Sequence, residues 1–209
     1  MTQNGFYFDT TRCTGCKTCV FACMDFHDLD IDHTYRKVYD YEGGSVKQFA
    51  DGTVEQDVIL YHLSLACQHC DSPACVQVCP TAAMHRNRDN EFGLVTVDTE
   101  KCIGCGFCHM ACPYNACKVN KEKGYSVKCD GCIERVRIGK QTICVEACPL
   151  RALDFGPIDD LRQKYEDFGP IAPMPVNSYT EPNIVIKPCS GVQKPGSTLG
   201  FVANPMEVR

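Results

Sequence analysis

Sixteen of the eighteen cysteines in this 209-residue chain fall into four quartets. Cys13, Cys16, Cys19 and Cys23 are spaced C-x2-C-x2-C-x3-C, and Cys67, Cys70, Cys75 and Cys79 are spaced C-x2-C-x4-C-x3-C-P. Cys102, Cys105, Cys108 and Cys112 form C-x2-C-x2-C-x3-C-P, and Cys129, Cys132, Cys144 and Cys148 form C-x2-C-x11-C-x3-C-P. The run C-x2-C-x2-C-x3-C-P is a [4Fe-4S] spacing in which the fourth cysteine ligates the other cluster of a pair. Three thiolates within seven residues bend one short loop around a cubic cluster. The x3 step then carries the fourth onto a following helical turn, and proline stops the helix there. Gly15, Gly104 and Gly131 let the backbone come close enough for N–H groups to face sulfur. A zinc ribbon is the competing reading of the fourth quartet taken alone, but the first and third quartets have a cluster spacing.

The segments around the quartets repeat. Gly5 to Cys16 matches Gly93 to Cys105: a short strand, an aspartate (Asp9, Asp98), a basic residue (Arg12, Lys101), then the loop. Downstream, Cys79, Cys112 and Cys148 each open C-P-x-x-A followed by an apolar residue, whereas Met24 stands where proline would follow Cys23. The unit is strand, cluster loop, short helix, strand, and two units make a ferredoxin-like module in an α+β fold. Cys117 takes the place of the apolar residues Met84 and Leu153 and reads as small core. Cys189, in a Pro/Gly-rich tail, reads as packing too.

Residues 24–66 carry β-rich stretches, Thr34 to Tyr41 and Val54 to Leu65, with turns at Gly43-Gly44 and Asp51-Gly52, which predicts a β-ribbon insertion. After Pro157 a short amphipathic helix is expected with Leu161, Tyr165 and Phe168 on one face. A proline-rich extended arm follows, better suited to strap this fold or a partner than to bury itself. The competing reading is a disordered tail.

Composition narrows the function. Twenty-one basic against 26 acidic residues, net charge -5, exclude nucleic acid as the main partner. The chain opens without a secretory signal pattern and has no apolar run long enough to span a membrane. So many cysteines without an export signal favour metal over disulfides. With cysteines set aside, apolar residues fall to about 35% of the chain, so bound inorganic matter must help hold the fold. The histidines (His27, His33, His62, His69, His85, His109) show no metal-site pairing, although His69 and His109 lie inside cluster loops. Asp28-x-Asp30-x-Asp32 starts like a calcium loop but fails at His33 and Tyr39. No nucleophile elbow, P-loop or dinucleotide fingerprint is present, so the chain encodes no substrate-converting site.

The stretches RCTGCKTCVFAC, CQHCDSPACVQVCP, KCIGCGFCHMACPY, KCDGC and CVEACPLRALDFGPIDDL, with PNIVIKP in the tail, resemble the iron-sulfur subunits of the dimethyl sulfoxide reductase branch of the molybdopterin oxidoreductases. The resemblance covers nearly the whole chain. It implies an outer ferredoxin-like module from residues 1–23 and 114–156, an inner, pseudo-symmetric one at 67–113, the ribbon at 24–66 and a partner-binding arm at 157–209. It also implies exchange of the fourth ligands: Cys13, Cys16, Cys19 and Cys148 on cluster 1, and Cys67, Cys70, Cys75 and Cys112 on cluster 2. Cys79, Cys102, Cys105 and Cys108 would hold cluster 3, and Cys23, Cys129, Cys132 and Cys144 cluster 4. Relatives with a three-iron cluster carry a tryptophan in place of one ligand; this chain has no tryptophan, so four [4Fe-4S] clusters are expected. The expected function is a one-electron relay between a quinol-oxidising membrane anchor, or another donor, and a large catalytic subunit carrying bis-molybdopterin guanine dinucleotide. The chain would then be peripheral, held at the membrane through its partners on a side the sequence leaves open. The alternative is a free-standing soluble polyferredoxin. Four oxidised clusters with their thiolates would add about -8 to the formal charge.

Overall fold

The computed structural model describes residues 2–86, 92–166, 168–175 and 179–208. Residues 87–91 of the expected inner module, and 167, 176–178 and 209 of the expected arm, lie outside them, as does Met1. The strands are β1 (Asn4–Asp9), β2 (Lys37–Gly43), β3 (Val46–Gln48), β4 (Val54–Gln56), β5 (Ile59–Leu65), β6 (Met84–Arg86), β7 (Val95–Val97), β8 (Lys118–Asn120), β9 (Tyr125–Val127), β10 (Leu153–Pro157), β11 (Ile184–Lys187) and β12 (Gly200–Val202). The helices are α1 (Thr18–His27), α2 (Ala74–Gln77), α3 (Phe107–Ala111), α4 (Ile133–Arg137), α5 (Ile143–Glu146) and α6 (Ile158–Lys164). The α+β content matches the expectation.

β1 is the centre of one sheet, antiparallel to β10 (Phe6 opposite Phe155) and parallel to β11 (Phe6 opposite Ile184). Every residue of β1 is buried because both of its faces are covered. Phe6 and Phe8 face the main core, with the rings of Phe6 and Phe155 4.7 Å apart. Tyr7 faces the other way and packs with Ile158, Leu161 and Val185 under α6. Strands buried on both faces read as continuous apolar runs, as Phe-Tyr-Phe does here. Tyr7 also stacks on Tyr165, ring centroids 3.5 Å apart. Phe168 is the exception to the expected helix face: α6 ends at Lys164, and Phe168 is 55% exposed.

Residues 24–66 hold the four strands β2 to β5. β2 pairs antiparallel with β5 from Lys37 opposite Leu65 to Gly43 opposite Ile59, and β3 and β4 make the outer hairpin. The segment is not all β, since α1 runs on through residue 24 to His27 and a 3-10 turn covers Ile31–His33. The side chain of Asp30, set aside as a calcium ligand, caps that turn by accepting from the N–H groups of Asp32 and His33. The last segment threads back over the same molecule: β11 adds to β1, and β12 adds to β2. Tyr61 hydroxyl donates to the Ala172 carbonyl at 2.8 Å, and Asn183 Nδ2 donates to the His69 carbonyl at 2.8 Å.

Two helix pairs organise the quartets. α1, from the first, packs on α5, from the fourth; α2, from the second, packs on α3, from the third. The hairpins β6–β7 and β8–β9 join these loops, with Met84 opposite Val97 and Lys118 opposite Val127.

Candidate metal centres

The repeats in sequence become repeats in backbone. Asp9 and Asp98 do the same work ahead of their loops: the Asp9 carbonyl accepts from Cys13 N–H at 3.3 Å and the Asp98 carbonyl from Cys102 N–H at 3.1 Å. Their carboxylates accept from Thr11 N–H at 2.9 Å and Glu100 N–H at 3.1 Å. Gly15, Gly104 and Gly131 all have φ between 65° and 71°, and His69 takes the same slot of the second loop at φ 47°. A Cβ on Gly104 would sit 2.6 Å from the Gly124 carbonyl oxygen, so only glycine fits against the β8–β9 turn. Three residues after Cys79, Cys112 and Cys148, the chain turns again through left-handed backbone at Ala82, Asn115 and Arg151. After Cys23, where proline is missing, α1 continues instead.

None of the eighteen cysteines is paired in a disulfide. One cavity is lined by Cys13, Cys16, Cys19 and Cys148, with Phe8, Val38 and Ala152 around them. A second is lined by Cys79, Cys102, Cys105 and Cys108, with Met84, Val97 and Ser126. The fourth cysteine in each comes from a different quartet from the other three. Electrostatics group the remaining eight. The Cys70 thiol is pushed up by burial and then by Cys67 and Cys112, with Cys75 also acting on it. Cys23 is pushed up by burial and then by Cys144, with Cys132 also acting, both members of the fourth quartet, and Cys129 is pushed up by burial and then by Asp130 and Cys23. Cys13 is pushed up to about 11, by burial first, with Cys19, Cys148 and Cys16 contributing and the Gly15 N–H opposing.

The donor set suits an anionic iron-sulfur cluster. Backbone N–H groups point at sulfur in several loops: Met84 at Cys79 Sγ and Ser126 at Cys102 Sγ, both 3.3 Å, Gly131 at Cys129 Sγ, 3.4 Å, and Ala152 at Cys148 Sγ, 3.3 Å. Hydrogen bonds to the charged sulfur favour it. Hydroxyls add to these, with Ser64 Oγ 3.4 Å from Cys19 Sγ and Thr142 Oγ1 3.4 Å from Cys144 Sγ.

Three further side chains were not marked as functional by the sequence reading. Cys117, read as core, is indeed 1% exposed, but its thiol also stands among those of Cys108, Cys112 and Cys75. That contact is the first cause that draws Cys108 and Cys112 down to about 6. Arg36 and Lys128 are buried cations among the sulfurs. A signal for Lys128 existed. Arg12 and Lys101 each follow an aspartate by three residues and pair with it, at 3.5 Å and 2.7 Å, but Tyr125 stands in the aspartate's place before Lys128. His69 and His109 are held by backbone: His69 Nδ1 accepts from Val95 N–H at 3.1 Å, and His109 Nδ1 lies 2.7 Å from the Cys117 carbonyl. Burial, with Lys128 beside it, keeps His69 neutral.

Cysteines gathered on left-handed loops, with N–H groups aimed at sulfur, define a ferredoxin-type iron-sulfur protein. A family model for a 4Fe-4S dicluster domain matches residues 58–158. The sequence is 53% identical to the B subunit of the anaerobic dimethyl sulfoxide reductase of Haemophilus influenzae, over 100% of both proteins. It is 53% identical to the subunit of the same name in Escherichia coli over 99% of each. It is 35% identical to the iron-sulfur subunit of the nitrate-inducible formate dehydrogenase of Escherichia coli, over 71% of this protein and 52% of that one. This protein belongs to the family of dimethyl sulfoxide reductase iron-sulfur subunits, electron-transfer subunits of oxidoreductase complexes. Among the described residues, no helix is long and apolar enough to cross a membrane.

Proposed function

We propose that this chain holds four [4Fe-4S] clusters and relays single electrons between a quinol-oxidising membrane anchor, or another donor, and a molybdopterin catalytic subunit. Bound clusters supply one-electron couples; the catalytic subunit supplies bis-molybdopterin guanine dinucleotide and the substrate chemistry. The ligand sets are Cys13, Cys16, Cys19 with Cys148 (set 1); Cys67, Cys70, Cys75 with Cys112 (set 2); Cys102, Cys105, Cys108 with Cys79 (set 3); and Cys129, Cys132, Cys144 with Cys23 (set 4). The observation that carries this reading is the foreign fourth cysteine in each cavity, Cys148 beside the first quartet and Cys79 beside the third. The packing of α1 on α5 and of α2 on α3 supports an outer module of residues 1–23 and 114–156 and an inner one at 67–113. The chain would be peripheral, reaching the membrane through partners.

Sets 1 and 3 suit the two ends of the relay. Cys16 and Cys105 are the exposed members of the sixteen, and each lies in one of these loops. Exposed apolar side chains surround both: Phe21, Leu150 and Met206 near set 1, and Ile103, Phe107 and Met110 near set 3. Exposed apolar patches mark protein contacts. Iron and acid-labile sulfide in the anaerobically purified complex test the reading, with about sixteen of each expected per chain. Iron well below that, or stoichiometric zinc, refutes it. Cys148→Ser is expected to damage the cluster of the first quartet. Damage confined to the cluster of Cys129, Cys132 and Cys144 refutes the exchange.

A further inference from the structure

Arg36 and Lys128 are two of the three lysine and arginine side chains buried among the described residues, and neither has a carboxylate partner there; the third, Lys37, turns its Nζ to the Asn115 and Val208 carbonyls. Arg36 is 2% exposed. Its Nη1 donates to the Ser64 carbonyl at 3.3 Å and to Ser64 Oγ at 3.1 Å, and its guanidinium lies over the Phe6 ring, 4.6 Å from the centroid. Nε and Nη2 have no hydrogen-bond partner. The sulfurs acting on its charge are those of Cys144, Cys19, Cys129 and Cys23. Three of these belong to set 4, and Cys19 belongs to set 1. Ser64 ties the same side chain to set 1, because its Oγ is the atom 3.4 Å from Cys19 Sγ.

Lys128 is 5% exposed. Its Nζ donates to the Cys129 carbonyl at 2.8 Å and to the Val95 carbonyl, and lies 3.4 Å from Cys67 Sγ. The sulfurs acting on it are Cys67, Cys117, Cys129 and Cys75, so it stands between sets 2 and 4. Charged side chains are almost never fully buried unless paired. Here the available counter-charge is thiolate sulfur, and one buried cation serves each of two neighbouring pairs of sets.

We propose that Arg36 and Lys128 are fixed cations that raise the reduction potentials inside the relay, Arg36 acting on sets 1 and 4, Lys128 on sets 2 and 4. Reduction of any one centre adds one electron, and so one negative charge, without a proton. A nearby fixed cation favours that added charge more when water is excluded. Set 4 lies beside both cations and receives both contributions. Set 3 does not figure among the sulfurs that act on either cation. The inference rests on the ligand sets proposed above.

The test is an anaerobic redox titration of the intact complex, each couple followed by electron paramagnetic resonance, with iron counted on every sample. Arg36→Met and Arg36→Gln are each expected to lower two couples by about tenfold in the reduction equilibrium, which for one electron is about 59 mV. Lys128→Met is expected to lower two couples as well, one of them shared with the Arg36 variants. The couple of set 3 stays in place throughout. Arg36→Lys and Lys128→Arg, which keep the charge, are expected to restore the potentials. With full iron, unshifted couples overturn the inference, as do equal shifts in the charge-keeping variants or the absence of a shared couple. Loss of iron from every neutral variant also overturns it, because the cations would then serve assembly rather than potential. A wild-type iron count far below sixteen would instead refute the four-cluster reading itself.

Discussion

Gly131→Ala isolates what one cluster loop demands of its backbone. Gly131 lies between Asp130 and Cys132 at φ +71°, donating its N–H toward Cys129 Sγ at 3.4 Å. An alanine Cβ there would stand 2.7 Å from Leu94 Cδ1, 3.3 Å from Cδ2 and 3.5 Å from Phe155 Cζ. Leu94 is 0% exposed and Phe155 is locked against Phe6, so neither retreats freely. The left-handed backbone costs an L-residue roughly 1–2 kcal/mol, and forcing a methyl into a packed core costs a further ~1–3 kcal/mol. Gly139→Ala is the internal control. It has φ +75° with nothing within 4 Å of the added Cβ, so it bears the backbone cost alone. The difference of ~1–3 kcal/mol corresponds to about 5- to 140-fold in the equilibrium for opening the loop. Cluster loss is irreversible, so the assay is a rate: anaerobic bleaching of the visible iron-sulfur absorption in moderate guanidinium. Gly131→Ala should bleach faster than Gly139→Ala by that factor, beginning with the cluster of the fourth quartet. Equal rates for the two variants would show that the Leu94 contact does not limit the loop.

Other expectations concern the strap, the spare thiol and acid. Tyr61→Phe removes the buried bond to the Ala172 carbonyl and should cost ~1–3 kcal/mol, read as faster protease cleavage within the last 40 or so residues; unchanged cleavage would mean that β11 and β12 hold the segment unaided. Cys189→Ser should keep full iron, since this residue offers its backbone N–H to Thr10 Oγ1 rather than its sulfur to a quartet; a missing cluster would place it among the ligands. The Asp9 carboxylate is 2% exposed, and although burial works to raise its pKa, Thr11, Lys187 and Tyr7 outweigh burial and hold it below the usual range. Its folded pKa being depressed, its contribution is present above about pH 4 and is lost as pH falls through the lower folded value. The advantage of wild type over Asp9→Asn in bleaching half-life should therefore be flat at higher pH and shrink below about pH 4; an advantage that grows toward acid would reverse the sign.

Most of this architecture is legible from local rules, and the departures have identifiable causes. The quartets, the aspartate ahead of two of them and the alanine after three are short-range patterns, and each maps onto a specific turn or hydrogen bond in the fold. The missing proline after Cys23 translates directly into a longer α1. Phe168 fails because periodicity says where a helix face points and not where the helix stops; Gly169 and Pro170 lie just beyond. The parallel pairing of β11 with β1 joins residues some 180 positions apart in a proline-rich tail, a contact that no local pattern encodes. His69 in a glycine slot is similarly hidden, because the left-handed backbone is set by the loop and the side chain is held by a distant N–H, that of Val95. Arg36 is the extreme case. Nothing within the ribbon sequence separates it from a surface arginine; its burial emerges only when the first and fourth quartets close around it.

Removing the iron should turn that arrangement against the fold. In the cluster-free chain, burial raises the thiol pKa of Cys19, Cys23 and Cys129, so these neighbours of Arg36 stay protonated and neutral near pH 7. Arg36 then remains buried without counter-charge, and an uncompensated buried charge costs about 3–5 kcal/mol. One such charge is a large share of the ~5–15 kcal/mol by which a domain is stable. The apolar residues are too few to absorb the loss, since cysteines make up a large part of the core. Chelation under mild anaerobic conditions should therefore abolish the β-sheet signal in far-ultraviolet circular dichroism together with the visible absorption, as one transition. The variant Arg36→Met offers a sharper test, because its two effects have opposite signs. It should lower the potentials of the loaded protein while leaving the iron-free chain more structured than the iron-free wild type. An iron-free wild type that keeps its sheet, or an Arg36→Met chain no better structured without iron, would mean that buried Arg36 is neutralised by something other than the clusters.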